Sequence, residues 1–242
     1  MHGLLALDVT DATRLLGAHD PPQSLTAFVV AAVGRAVASH PDVHAYRDWR
    51  GRLVIHRHVD VSTIVEITTP QGPFPLVHTL HDADIRDVED LSAELRRVKA
   101  TPFPREARGY QRLLPVVTRV PGAVRALYAL LSRSVRLRQR SGTVTVTSVG
   151  MFADGGGFAI APLSLMSLQV VVGGITEQPH LDSDSVGVRK LLDLTVSVDH
   201  NVVDGGPATR FGAELRHQIE TAEVLSDHTS RSKARARPLK SH

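Results

Sequence analysis

One short segment near the end of the chain combines residue types that can carry out acid–base chemistry. Asp199 and His200 follow an apolar run, and Asp204 comes four residues after the histidine, directly before Gly205 and Gly206. A histidine held at the end of a strand can take a proton from a nucleophile near neutral pH, and paired glycines let a backbone turn tightly. The same spacing also fits a histidine bonded within its own loop beside a helix-capping aspartate. From the spacing alone, both interpretations stay open.

Hydrophobic patterning predicts the elements that position this segment. Residues 188–198 alternate between apolar and polar, as in a strand, and Pro207 suits the first turn of a helix that follows. Ser24 predicts the start of another helix, which runs to about Ser39, and Asp87 predicts the cap of a third. Further strands are predicted over residues 4–9, 53–58, 60–68, 143–149 and 168–172, with loops over 70–75 and 177–187. This order predicts a mixed α/β fold, an α+β two-layer sandwich with helices packed on one side of a mixed sheet.

The segment DHNVVDG, residues 199–205, resembles the histidine loop of a known family. That family is the catalytic domain of the dihydrolipoamide acyltransferase component of 2-oxoacid dehydrogenase complexes, in the chloramphenicol acetyltransferase-like superfamily. Further segments resemble the same domain in the same order: residues 24–45, 53–72, 81–95 and 141–152. The resemblance covers about residues 4–225, apart from about 101–140. It implies a chloramphenicol acetyltransferase-like fold.

The resemblance also implies a reaction and the residues that perform it. The reaction is transfer of an acyl group between a coenzyme A thioester and an acceptor, either a thiol such as a dihydrolipoyl group or another small molecule. His200 is implied as the general base and Thr147 as the hydroxyl that stabilises the oxyanion. Ser148 is the alternative hydroxyl, because neighbouring residues of a strand point to opposite faces. Asp204 is implied as a further residue of the catalytic group, which fixes the loop rather than moving protons. Asn201 and Gly205 are implied as structural residues of the loop.

The family resemblance further implies partners, and it leaves alternatives to the acyltransferase function open. It implies a homotrimer or a multiple of one, with each site between two subunits, acyl-coenzyme A as substrate, a lipoyl group on a partner protein, and no metal. A catalytically inactive trimeric scaffold of the same fold is the alternative, because Asn201 replaces the arginine usual in the family and no lipoyl domain is recognised in the chain. The related condensation-domain branch is a third interpretation. It has two adjacent histidines, whereas here Asp199 precedes His200.

Composition and charge limit the other classes of function. The chain has 242 residues, of which 42% are hydrophobic and 22% charged, and it has no cysteine. These values exclude a wholly disordered chain, a disulfide framework and a thiolate metal site. Basic residues are concentrated in 105–140 and 229–242, and the rest of the chain is acidic. The pI of about 9.6 therefore does not indicate nucleic-acid binding by the fold.

The family resemblance and the distribution of charge together imply the organisation of the chain. We expect a catalytic domain over 1–228, with a basic insertion at about 101–140, and a disordered basic tail over 229–242. Within the insertion, residues 123–138 are predicted to form a basic amphipathic helix. This helix either packs on its own domain or faces a partner or an anionic membrane surface. No secretory signal or spanning segment is recognised, and a cytoplasmic location is predicted.

Two histidines elsewhere in the chain have a spacing that could suggest a metal site. His56 and His58 alternate around Arg57, but no carboxylate lies at a supporting spacing. They are predicted to be solvent-facing strand residues.

Overall fold

The computed structural model describes residues 1–48, 50–69, 72–101, 119–126, 129, 141–149, 155–162, 166–182 and 185–225. The strands, in chain order, are β1 (His2–Asp8), β2 (Tyr46–Arg47), β3 (Leu53–Val54), β4 (Val61–Thr69), β5 (Gly72–Leu80), β6 (Val144–Ser148), β7 (Leu168–Asp182) and β8 (Ser185–Val198). The helices whose bounds lie within these residues are α1 (Thr10–Gly17), α2 (Leu25–Ser39), α3 (Val88–Ala100) and α4 (Gly205–Glu220), with a short 3₁₀ helix at Pro41–His44.

The described strands form one large sheet and one small hairpin. The large sheet has the order β1-β8-β7-β6-β4-β5, and β2 pairs with β3 separately. Strand β6 runs parallel to both β4 and β7, and the other neighbours are antiparallel. The sheet is therefore mixed, as predicted, and a parallel central strand carries the segment that contains Thr147.

The two faces of the large sheet differ in chemistry. One face packs against α2, α3 and α4 and supplies buried aliphatic residues, which include Val61, Val65, Val144, Val146, Val170, Val172, Leu192 and Leu194. Alternate residues point to the other face. There a polar row crosses the six strands of this sheet in register: His2, Ser197, Gln169, Thr145, Ser62 and Thr79. The helices α2, α3 and α4 thus pack on the aliphatic face, and the polar row lies on the opposite face.

Helix starts follow the sequence signals closely. The side chain of Ser24 accepts a hydrogen bond from the backbone N–H of Ala27 at 3.4 Å, which is the capping predicted for α2. Asp87 stands at the predicted N-cap of α3, but its side chain makes no capping hydrogen bond.

Most of the predicted basic helix over 123–138 lies outside the described residues, as does the tail from 226 onward. Among the described helices, none has the length and apolar composition needed to cross a bilayer.

Three predicted boundaries were wrong. Residues 72–75 belong to β5, since an edge strand tolerates Pro73 and Pro75, whose missing N–H groups break no central ladder. The expected turn over 177–187 is instead the outer part of a β7–β8 hairpin, in which Leu181 pairs with Val186. The strand expected over 53–58 is reduced to β3.

Candidate active site

His200 lies in the turn between β8 and α4, with its ring fixed by a local hydrogen bond. Its Nδ1 atom lies 3.1 Å from the backbone carbonyl oxygen of Val203. A carbonyl can only accept, so Nδ1 is the donor and, in the neutral ring, the lone pair is on Nε2. The side chain of His200 is 58% exposed. The turn therefore presents a histidine in the tautomer that a general base at Nε2 requires.

Asp199 organises the turn from its first residue. Its N–H donates to the carbonyl of Ser167 at 2.8 Å, and its own carbonyl accepts from the N–H groups of Val202 and Val203 at 3.0 and 2.9 Å. Its Oδ1 atom accepts from both the backbone N–H and the side-chain amide of Asn201, at 3.0 and 2.9 Å. The aspartate that precedes His200 thus holds the backbone on both sides of it.

The side chain of Asp204 caps helix α4 and makes no hydrogen bond to His200. It is the N-cap of α4, and its Oδ1 accepts from the N–H of Gly205 at 3.0 Å. The same oxygen lies 3.8 Å from His200 Nδ1, which is too far for a hydrogen bond. The predicted reason for the glycines was wrong: neither Gly205 nor Gly206 has a positive φ, and both lie in the first turn of α4.

Thr147 and Ser148 lie on opposite faces of β6. Val144 and Val146 point into the core under the helices, so alternation places Ser148 on that face and Thr147 on the polar face. Thr147 is 9% exposed, and Ser148 is half-buried. Both residues line a cavity of about 240 Å³ at the end of β6, together with Ser24 and Lys99.

The strand register places His200 and Thr147 far apart within one chain. Thr147 pairs with Val171, and Val171 pairs with Thr195. Thr147 and Thr195 are therefore two strands apart, and His200 lies five residues beyond Thr195. With strands about 4.8 Å apart and a rise of about 3.3 Å per residue, the separation is roughly 15–20 Å. One chain does not bring its own histidine and threonine together.

Sequence reasoning missed a buried cluster of polar and aromatic side chains around His44. His44 is 2% exposed, its Nδ1 lies 3.2 Å from Thr143 Oγ1, and its ring meets that of His56 edge-on at 5.5 Å. Burial, with the nearby His56, lowers the pKa of His44 to about 4. His56 also stacks on Tyr46 at 5.2 Å. His56 is thus buried and not on a strand, contrary to the prediction, whereas His58 is exposed.

A second missed contact ties the loop to a distant part of the chain. Arg47 Nε donates to the backbone carbonyl of Asn201 at 3.2 Å. No local pattern signals this pair, because 154 positions separate the two residues.

The described part of the chain contains no group of three or more histidine, aspartate or glutamate side chains arranged to hold a metal ion.

Comparisons with known proteins agree with this architecture. Residues 133–226 match the family model of the 2-oxoacid dehydrogenases acyltransferase (catalytic domain). The chain is 25% identical over 212 residues to the dihydrolipoyllysine-residue acetyltransferase component of the pyruvate dehydrogenase complex of Corynebacterium glutamicum, covering 83% of this chain and 26% of that protein. The chain thus spans about a quarter of that relative's length.

Two solved structures show the same fold. Dihydrolipoamide acetyltransferase from Azotobacter vinelandii, studied for the catalytic roles of a serine, a histidine and an asparagine, aligns with a TM-score of 0.65 at 20% identity, over 93% of this chain and 83% of its own. A chloramphenicol acetyltransferase aligns with a TM-score of 0.56 at 14% identity, over 90% and 87%. The resemblance seen in the sequence and the chloramphenicol acetyltransferase-like fold are both confirmed.

Proposed function

We propose that this chain is a coenzyme A-dependent acyltransferase that moves an acyl group between a thioester and an acceptor, with His200 as the general base. The observation that carries the proposal is the bond from Nδ1 to Val203, which leaves Nε2 as the proton acceptor. In the Azotobacter protein, the histidine and the asparagine studied for catalysis are four positions apart. His200 and Asp204 have the same spacing here, so the aspartate takes the place of that asparagine.

The proposed reaction uses the histidine twice. Nε2 of His200 takes the proton from the acceptor thiol, whose pKa near 8.5 leaves it mostly protonated at neutral pH. The thiolate attacks the thioester carbonyl carbon and forms a tetrahedral oxyanion, which Thr147 Oγ1 stabilises with a hydrogen bond. The oxyanion collapses, the bond to the sulfur of coenzyme A breaks, and that sulfur takes the proton back from His200.

Asp204 has a structural role in this proposal. It caps α4, the helix that directly follows the loop. Because Nδ1 of His200 already donates to Val203, a carboxylate is not needed to fix the tautomer. The aspartate therefore takes no proton during the reaction.

The proposed site is shared between subunits. The separation of roughly 15–20 Å between Thr147 and His200, set by strand spacing and rise, exceeds what the two side chains span. A complete site then requires His200 from one chain and Thr147 from the next. A head-to-tail ring provides such sites at each of its interfaces, and the homotrimer implied by the sequence resemblance is the smallest ring that we expect. Acceptors are a dihydrolipoyl group on a partner or another small molecule.

A thiol-release assay tests the activity directly. Several acyl-coenzyme A donors are each combined with dihydrolipoamide and with simple amine or alcohol acceptors, and free thiol is followed with time. His200→Ala is expected to lower turnover by roughly 100-fold or more, the scale of a lost general base. His217→Ala, at an exposed histidine of α4, is the matched control and should keep full activity.

Two results would contradict the proposal. Turnover of His200→Ala within a few-fold of the unsubstituted chain would remove His200 from the mechanism. No His200-dependent turnover with any donor, from an intact assembly, would favour the inactive scaffold.

A further inference from the structure

Arg47 reaches the catalytic loop from a separate small hairpin. It is the last residue of β2, which pairs with β3 outside the large sheet. Its Nε donates to the carbonyl oxygen of Asn201, next to His200, at 3.2 Å. Its Nη1 also donates to the carbonyl of Gly51 in its own hairpin, at 3.4 Å. The guanidinium thus bridges the hairpin and the loop.

Hydrogen bonds to the Asp48 side chain stabilise the turn of the hairpin that carries Arg47. The buried side chain of Asp48 accepts from the N–H groups of Arg50 and Arg52, each at 2.9 Å, and pairs with the Arg52 guanidinium at 2.8 Å. Burial by itself raises the pKa of Asp48, but the hydrogen bonds from Arg52 and Arg50 outweigh it and hold the pKa below its usual value. Gly51 closes the turn with a φ of +76°, which favours glycine. These contacts therefore fix the backbone of the hairpin from which the Arg47 side chain extends.

Asn201 is held at both of its peptide groups. Its N–H belongs to the peptide bond with His200 and donates to Asp199 Oδ1, while its C=O accepts from Arg47. Its side-chain amide also donates to Asp199. Asp199 thus fixes the peptide on the histidine side, and Arg47 fixes the peptide on the far side. Together they set the path of the backbone from which the His200 ring projects.

We propose that Arg47 is a positioning residue for His200. It acts through the hydrogen bond from Nε to the carbonyl of Asn201 and not through its charge. This inference rests on the proposed function for its effect on turnover. Its effect on the histidine ring itself is independent of which reaction is catalysed.

Two substitutions separate the hydrogen bond from the charge. Arg47→Gln places an N–H donor the same number of bonds from the backbone as Nε, but removes the charge. Arg47→Met keeps a side chain of similar reach and removes both. We expect Arg47→Met to lower kcat roughly three- to tenfold, the scale of one lost hydrogen bond, with KM for acyl-coenzyme A unchanged. Arg47→Gln should keep kcat within about twofold. Arg57→Met, at another exposed arginine, should leave kcat unchanged.

A second measurement does not depend on turnover. Nitrogen-15 NMR of the histidine rings reports how fast the His200 Nδ1 proton exchanges with water, with assignment by His200→Ala. Arg47→Met should speed this exchange, because the turn that holds Val203 against Nδ1 becomes looser. Arg47→Gln should leave the exchange rate as it is.

The outcomes distinguish this inference from the proposed function. If Arg47→Gln is as impaired as Arg47→Met, the charge matters and the hydrogen-bond role is wrong. If Arg47→Met changes neither kcat nor the exchange rate, Arg47 does not position His200. If the unsubstituted chain shows no His200-dependent turnover, the proposed acyl transfer fails, and the exchange rates alone support or overturn the role of Arg47.

Discussion

Mixing two inactive variants should restore activity, because the proposed site is divided between chains. His200→Ala removes the base and is expected to cost roughly 100-fold. Thr147→Val keeps the shape and removes the hydroxyl, at a cost of about 3 kcal/mol in the transition state, which is also roughly 100-fold. Within one chain the two residues are roughly 15–20 Å apart. Each substitution therefore damages a different side of a subunit interface.

The expected recovery follows from counting interfaces. In a one-to-one mixture, an interface is intact when the chain that supplies the histidine carries Thr147→Val and the chain that supplies the threonine carries His200→Ala. In a head-to-tail ring this holds for about one interface in four. Activity should therefore rise from about 1% to about a quarter of that of the unsubstituted protein.

The assay dissociates both variants, mixes and reassembles them, and measures thiol release per chain. Light scattering confirms assembly, with a mass near three chains expected. As a control, His200→Ala is mixed with the double variant His200→Ala/Thr147→Val, in which no chain supplies the base, and no recovery is expected. Recovery absent from mixed oligomers, or a fully active monomer, would refute the division of the site derived from the strand register.

Three further predictions concern single residues. Thr147→Val should lower kcat far more than Ser148→Ala in the thiol-release assay, since the two hydroxyls lie on opposite faces of β6; the reverse order would assign the oxyanion to Ser148. The unfolded chain protonates His44 near pH 6.5 but the fold only near pH 4, so the free energy of unfolding should fall by on the order of 3 kcal/mol as pH drops through this window. Urea titrations at pH 7 and 4 should show a smaller loss for His44→Gln. Thr195 Oγ1 is buried and has no hydrogen-bond partner among the described residues, so Thr195→Val should raise the free energy of unfolding by about 1 kcal/mol, and a lowered melting temperature would contradict this.

Much of the fold could be predicted because its signals are local. The Ser24 cap and the apolar run of α2 lie within one segment, and the alternation over residues 143–149 belongs to β6 itself. The errors at β5 and at the β7–β8 hairpin have one cause. In both places local turn residues argued for a loop, while pairing with a neighbouring strand decided the structure.

In the candidate site too, contacts between residues close in sequence could be predicted, and contacts between distant residues could not. The histidine loop could be found in the sequence because Asp199, His200 and Asp204 are nearly contiguous, and their hydrogen bonds stay within the loop. Arg47 could not be found, since its contact with Asn201 spans 154 positions and depends on where the small hairpin lies. Physical proximity without sequence proximity leaves no pattern to detect.

The identity of the proposed oxyanion hydroxyl depends on the register of β6, which contacts at the start of the strand hold in place. A slip of one residue would exchange the faces of Thr147 and Ser148. Thr143 prevents this by donating its N–H to the carbonyl of Asp60 at 2.7 Å, while its Oγ1 accepts from the N–H of Asp60 at 3.2 Å. Gly142 has a φ of +92°, and a Cβ there would lie 3.1 Å from the same Asp60 carbonyl. The choice between two neighbouring hydroxyls is thus made by contacts at the other end of the strand, where Thr143 also meets the buried His44.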